Sequence, residues 1–251
     1  MQTSKLIKNS SFAIYGLGLS GISAFNFLKK KNKKKIYTWD DKVNKNNKKK
    51  FNSFNKILDK VDYIVISPGI NIQKTKFRLK LSRNKNKIIT DLDLFYMQKM
   101  PVKSIVITGT NGKSTVCKLT QHIFKANRLD AQLGGNIGKP VLDLRIKKKS
   151  IVIVEASSFQ LAYTKFLKPN FAIILNITRD HLDWHNTITN YKNAKFKIFS
   201  KQDSKDIALL NNKKIINIFK KKNYMSKLKV VKKNFINTKI KKKITNDYLV
   251  S

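Results

Sequence analysis

The chain has 251 residues, with 54 lysines and arginines against 14 aspartates and glutamates, for a formal net charge of +40. That length suits one large domain or two smaller ones with real cores, and the single cysteine, Cys117, excludes an intrachain disulfide and suits a reducing compartment. So basic a chain suggests a nucleic-acid-stimulated ATPase, but the lysines run mixed with asparagine and isoleucine and lack interleaved aromatics for base stacking, so no specific nucleic acid is expected.

Residues 9–28 carry no charge and follow Lys5 and Lys8, which mimics a signal peptide or a spanning helix. Three glycines and several Ser and Asn inside the stretch argue against both. No other segment is apolar for long enough, so no membrane partner is expected and the location is read as cytoplasmic. Residues 11–15 form an apolar strand. Gly16-Leu17-Gly18-Leu19-Ser20-Gly21 follows as a full G-x-G-x-x-G, and 22–28 has helical spacing. A second strand at 35–39 ends in Asp40 and Asp41, about 20 residues past the glycines, as a dinucleotide-binding unit requires. Read alone, this is an NAD site, and an NAD-dependent dehydrogenase is a standing alternative. The physics of the fingerprint, a helix N-terminus and close backbone approach, serves any diphosphate.

Residues 61–67 read as a third buried strand, closed by Pro68-Gly69, and 87–90 as a fourth, ending at Asp91. Strands alternating with helices predict a mostly parallel α/β sheet. Residues 95–101 show no strong pattern, so the boundary falls there: a Rossmann-like domain over 1–98 and a second domain over 99–251.

The second domain opens on residues 102–124. Ile105, Val106 and Ile107 read as a buried strand. Gly109-Thr110-Asn111-Gly112-Lys113-Ser114-Thr115 follows, and then a helix with apolar Val116, Leu119, Ile123 and Phe124. Strand, glycine loop, Lys-Ser/Thr and helix is the layout of a phosphate-binding loop. The general G-x-x-x-x-G-K pattern would place its first glycine at Ile107, so this is either a chance Gly-Lys-Ser or a loop with a shorter glycine signature; the strand before it and the helix after it favour nucleotide binding. Cys117 is read as helix packing. Residues 133–138, with Asn136, read as a turn-rich loop. Residues 150–154 are a strand with Glu155 at its tip, well placed to hold Mg²⁺ beside the phosphate loop; the bland reading is an N-cap carboxylate. Residues 171–175 are a further strand. His181 and His185 stand four apart, but Leu182 occupies the place of the metalloprotease glutamate, so a zinc site is not expected. Residues 191–199 read as a helix. From residue 213 onward no motif is legible.

Together these motifs resemble the Mur ligases, the ATP-dependent amide-forming ligases of peptidoglycan synthesis. The string Glu155-Ala-Ser-Ser-Phe-Gln-Leu161 is similar to the branch that adds D-glutamate to UDP-N-acetylmuramoyl-L-alanine. The resemblance runs from about residue 12 to about residue 212. It implies a P-loop-type central ATPase domain, with ATP bound by Gly109, Thr110, Asn111, Gly112, Lys113, Ser114 and Thr115. It implies that Gly16, Leu17, Gly18, Ser20, Gly21, Asp40, Ser67, Pro68, Gly69 and Asn136 meet the UDP substrate. Lys113, Glu155, His181 and Lys195 would be catalytic. Ser114 or Thr115 with Glu155 would hold one Mg²⁺, and His181 with a carbamylated Lys195 a second. A folate-polyglutamate-type ligase shares the ATP loop but should lack a leading Gly16–Gly21 domain.

Mur ligases have three domains, and the family's adenine-holding motif and C-terminal amino-acid-binding domain are not seen up to Ser251. The expectation is an incomplete central domain: a fragment, a split gene product or a decayed copy. Such a chain is expected to bind nucleotide without ligation unless a complementary chain is supplied.

Overall fold

The computed structural model describes residues 2–43 and 47–231. Part of the lysine run at 42–50 and the last twenty residues of the domain expected over 99–251 lie outside the described residues. The elements alternate as the sequence predicts. The first part runs α1 (Gln2–Asn9), β1 (Phe12–Tyr15), α2 (Leu19–Lys31), β2 (Ile36–Trp39), α3 (Lys48–Lys60), β3 (Tyr63–Ile66), α4 (Arg78–Arg83), β4 (Ile88–Ile89) and α5 (Asp91–Met97). Its sheet is parallel in the order β2-β1-β3-β4. Residues 9–28 do not span anything: they supply all of β1, the glycine turn and most of α2. No helix among the described residues is long and apolar enough to cross a membrane.

The second part runs β5 (Lys103–Thr108), α6 (Lys113–Ala126), β6 (Ala131–Gly135), β7 (Ile151–Glu155), α7 (Ser158–Tyr163), β8 (Phe171–Ile174), α8 (Leu182–His185), α9 (Ile188–Phe196), β9 (Ile207–Leu210), α10 (Lys213–Lys221) and β10 (Lys227–Val230). Its sheet is parallel in the order β10-β9-β8-β5-β7-β6. Helices cover both faces, which is why the inner strands read as continuous apolar runs rather than alternating ones.

In both sheets the order reverses at the strand before a glycine loop, β1 in the first and β5 in the second. Loops diverge at such a reversal and leave a crevice at the carboxyl ends of the strands. The glycine loops therefore sit where an open α/β sheet takes ligands.

One expectation needs correction. Residues 133–135 are not loop but the end of edge strand β6. Its Gly134-Gly135 ending hid it, because glycine weakens any strand signal. The structure shows why glycine stands there: a Cβ at Gly135 (φ +106°) would meet the Glu155 carbonyl oxygen at 2.4 Å, and one at Gly134 the Lys139 oxygen at 2.6 Å. Residues 95–97, patternless in the sequence, are the last turn of α5. Leu92 and Phe95 pack into the core of the second sheet, and Leu94 and Met97 into that of the first. A helix buried on both sides shows no single apolar face, so its period is lost from the sequence.

Candidate functional site

The first crevice lies between the turns that follow β1 and β3. Gly16 (φ +92°) makes the first turn, and its carbonyl accepts from the Ser67 hydroxyl at 2.8 Å. A Cβ at Gly21 would lie 1.8 Å from the Gly16 oxygen, so only glycine lets α2 start this close to the loop. Gly18, by contrast, has open space where its Cβ would go. Asp40 accepts from the Leu17 N–H at 2.7 Å and the Lys42 N–H at 2.8 Å. The Leu17 N–H holds this carboxyl below its ordinary range. The resulting cleft, of about 660 Å³, is lined by Gly16, Leu17, Gly18, Ser20, Asp40, Ser67, Pro68 and Gly69 among others. Gly21 packs beneath it. Asn136 is not in its lining but belongs to the second site.

The second site is built on the tips of three adjacent strands. After β5 the chain turns through Gly109 to Gly112, which takes φ +80° and starts α6 with no side chain capping the helix. An uncapped N-terminus of a fourteen-residue helix presents free N–H groups and the positive end of its dipole. Lys113 reaches back to the Thr110 carbonyl at 2.8 Å. From β7, Glu155 is 2 % exposed, and its two oxygens are held apart. Oε2 accepts from the Ser114 hydroxyl at 2.7 Å, and Oε1 from the Asn136 amide at 2.9 Å. Of the two hydroxyls weighed for a metal, it is thus Ser114 that meets Glu155, while Thr115 is exposed. An N-cap role for Glu155 does not apply, because the cap of α7 is Ser157 with Gln160.

From β8 comes Asn176, which the sequence reading left without a role. Its Oδ1 accepts from the Thr110 N–H (3.1 Å) and the Asn111 N–H (2.9 Å), and its amide donates to the Asn111 carbonyl (3.0 Å). Tyr191 adds a bond from its hydroxyl to Thr110 Oγ1 at 2.9 Å. The loop is therefore pinned from one side before any ligand arrives. The available signal was position: an amide just past the strand beside the glycine-loop strand.

Lys195 is 1 % exposed. Its Nζ donates to the Gly109 carbonyl at 2.7 Å and lies 4.7 Å from the Tyr191 ring centre. Burial first, and then the nearby Lys113, push its pKa down from 10.5 to about 7. Among the described lysines it is set apart by that dry position. His181 caps α8 in the left-handed region (φ 50°), half-exposed, with its ring 4.7 Å from Phe159 and 6.3 Å from Tyr191. Lys195 and His181 thus flank the same tyrosine. His185 is different. It is 4 % exposed, bonds Ser158 at 3.0 Å, and is driven to about 4 by burial, then by His181 and Lys195, which keeps it neutral. Among the described residues, no three His, Cys, Asp or Glu side chains come together as a metal site. Cys117 is buried in the core, its thiol pushed up to about 12 by burial and then by Glu155.

The donor set fits Mg²⁺ at one place. A hydroxyl and a carboxylate already in contact are hard oxygen ligands of the kind Mg²⁺ prefers, beside a helix N-terminus suited to phosphate. At the other place the fit depends on chemistry at Lys195. An amine that donates to a carbonyl offers no ligand to Mg²⁺.

Residues 107–249 match the family described as the Mur ligase middle domain. The chain is 38 % identical over 213 residues to UDP-N-acetylmuramoylalanine--D-glutamate ligase of Rickettsia bellii, covering 81 % of this chain and 46 % of that protein. It is 38 % identical over 257 residues to the protein of the same name from Buchnera aphidicola, covering 95 % and 53 %. The chain thus spans about half the length of the curated relatives it matches. In fold it is similar to the UDP-N-acetylmuramate:L-alanyl-gamma-D-glutamyl-meso-diaminopimelate ligase of Neisseria meningitides, with a TM-score of 0.54 at 15 % identity, covering 88 % of this chain and 77 % of that one. Two parallel sheets with a glycine loop at each reversal, and a family match across the second of them, lead to one conclusion: the chain belongs to the Mur ligase family.

Proposed function

We propose that this chain carries the substrate-nucleotide and ATP sites of a cytoplasmic ligase that adds D-glutamate to UDP-N-acetylmuramoyl-L-alanine. The observation that carries this reading is the meeting of Ser114 with Glu155 at an uncapped helix start, with a buried Lys195 of lowered pKa bonded to the same loop. The first cleft supplies the place for the uridine diphosphate, with the loop after β1 facing Ser67-Pro68-Gly69. On this reading residues 1–98 form the substrate-nucleotide domain and 99–251 the central domain.

The reaction joins a carboxylate to an amine. The substrate carboxylate attacks the γ-phosphorus of ATP and ADP leaves. The amine of D-glutamate then attacks the acyl carbon and phosphate leaves. Lys113 would exchange its bond to the Thr110 carbonyl for the phosphate oxygens, and the N–H groups at the start of α6 would face the same charge. Asn176 keeps those groups aimed without reorganisation. Mg²⁺, held by Ser114 and Glu155, would supply further neutralisation of the phosphates.

Lys195 is suited to modification. A lysine near pKa 7 is about half free amine at neutral pH, and only the free amine takes up CO₂. The carbamate so formed is an anionic oxygen ligand, which with His181 would make a second Mg²⁺ site that the unmodified residues do not make.

Calorimetry on the chain with UDP-N-acetylmuramoyl-L-alanine and with NADH tests the reading. Saturable binding of the UDP ligand with none for NADH is expected. Tight NADH binding without binding of the UDP ligand would make the first domain a dehydrogenase domain instead.

A further inference from the structure

The loop that follows Ser67-Pro68-Gly69 leaves the first cleft and ends against α8 of the second part of the chain. α8 is four residues long and is bounded by non-glycine residues at positive φ, His181 at 50° and Asn186 at 64°. So short a helix is not stable by itself, and a backbone strained at both ends persists only where its surroundings hold it. A helix end leaves its last four carbonyls without partners, and here each of the four is taken. The Leu182 carbonyl accepts from the Asn186 N–H at 2.8 Å, and that of His185 from the Asn190 side-chain amide of α9 at 3.0 Å. The other two are reached from the first part of the chain. The Trp184 carbonyl accepts from the Asn71 side-chain amide at 2.8 Å, and the Asp183 carbonyl from Lys74 Nζ at 2.6 Å. Asn71 is itself fixed, because its Oδ1 accepts from the Gln73 N–H at 2.9 Å and so opens a single 3₁₀ turn at Ile72–Lys74. Beside it the Ile72 N–H donates to the Tyr163 hydroxyl at 3.1 Å, and the Tyr163 ring lies 5.5 Å from that of Trp184.

Resting on the function proposed above, we infer that Asn71, supported by Lys74, is a positioning residue for His181. The first part of the chain grips α8 by its carbonyl end. That grip fixes the histidine at the opposite end, where its ring packs on Phe159 and stands beside Tyr191. Lys195 lies against the same tyrosine, so the two ligands of the proposed second Mg²⁺ site face each other only while α8 stays in place. Neither Asn71 nor Lys74 touches a reacting group. With their bonds gone, α8 keeps its own last hydrogen bond and the Asn190 amide, and its two strained ends are free to relax. Outer partners of this kind orient a metal ligand before the ion arrives.

Asn71→Ser keeps an oxygen for the Gln73 N–H but does not reach α8, and Lys74→Met keeps the length without the donor. The chain has three histidines, so carbon-13 labelling of their rings gives three resolvable NMR signals. In the metal-free wild type the His181 ring should show nuclear Overhauser contacts to the Phe159 and Tyr191 rings. Asn71→Ser should lose them, and Lys74→Met should weaken them, with the His122 signal unmoved in both. The same chains are then titrated with Mn²⁺ in bicarbonate buffer with ADP present, the free ion being read by electron paramagnetic resonance. The wild type should bind two Mn²⁺ per chain. Asn71→Ser should hold the second about fivefold or more weakly, the worth of one hydrogen bond, and should bind Mn·ADP and the UDP ligand within about twofold of the wild type. Retained His181 contacts in both variants, or a second Mn²⁺ bound as tightly as before, overturns the inference. A wild type that binds a single Mn²⁺ overturns the second metal site proposed above; loss of the His181 contacts in Asn71→Ser would then still establish that this loop places His181, and their retention would overturn it.

Discussion

Replacing Lys195 by methionine should stabilise the protein in mild acid and lose that advantage as the pH rises. The buried ammonium is disfavoured by a fall in pKa from 10.5 to about 7, caused first by burial and then by Lys113. At about 1.36 kcal/mol per pH unit this corresponds to roughly 5 kcal/mol. Lys195→Met removes that charge and fills a similar volume with an unbranched apolar chain. It also strips the Gly109 carbonyl of its donor at 2.7 Å, which costs about 1–3 kcal/mol. The charge term is the larger, so the variant is the more stable protein near pH 6.5. The sign of the pH dependence follows from proton counts. The unfolded lysine keeps its proton up to about 10.5, and the folded one releases it above about 7. Between those values the unfolded state holds more protons, so the wild type gains stability as pH rises. Below that window both states are protonated, and the full cost of the buried charge is present. From about pH 6.5 to about pH 9 the wild type should recover roughly 2–3 kcal/mol relative to Lys195→Met. Urea unfolding followed by circular dichroism reads this, in CO₂-free buffer that leaves the amine unmodified. A stability difference that stays within about 0.5 kcal/mol across the range refutes the reasoning, because it would mean that Lys195 titrates as an ordinary exposed lysine.

Other substitutions separate folding from binding. Gly18→Ala meets open space, so its melting temperature should match the wild type while the added methyl blocks a diphosphate at the loop; calorimetry with the UDP ligand reads the loss. Gly21→Ala collides with the Gly16 carbonyl oxygen and should unfold or severely destabilise the first domain, as a thermal melt would show. Glu155→Gln should weaken Mg·ADP binding tenfold or more, roughly 1.4 kcal/mol, and make the residual binding insensitive to Mg²⁺ in a titration with and without chelator. Asn176→Ala should release the loop amides and raise the Mg·ADP dissociation constant by about tenfold, leaving UDP-ligand binding unchanged; equal effects on both ligands would point to a general folding defect instead.

Much of this architecture was legible in residue order. β1, β3, β5, β7 and β8 are apolar runs ended by glycine, proline, asparagine or a carboxylate, and each strand was readable from that punctuation. β6 was not, because its last two residues are glycines demanded by contacts with Lys139 and Glu155 that only the fold reveals. α5 was obscured because two cores share it. β9 and β10 are short, and the outer one is mostly exposed, so neither carries a strong period. At the site, Lys113, Ser114 and Glu155 were found by motif, and the structure brings them together. Lys195 could be singled out only through the family resemblance. The sequence shows a lysine among lysines, whereas the fold shows one buried against a carbonyl and a tyrosine ring. Asn176 carries no signal of its own in the sequence, because its grip on Thr110 and Asn111 depends on β8 lying beside β5.

The most direct test of the account is to trap the acyl phosphate. The chain is incubated with Mg·ATP, UDP-N-acetylmuramoyl-L-alanine and hydroxylamine, with D-glutamate left out. Hydroxylamine attacks an acyl phosphate at carbon and releases phosphate, leaving a stable hydroxamate on the nucleotide. Hydroxamate formed one for one with ADP, dependent on Mg²⁺ and abolished in Lys113→Ala, is the predicted result. ADP released at the same rate without the UDP substrate, with no hydroxamate, would contradict the claim that these two sites serve one phosphoryl transfer.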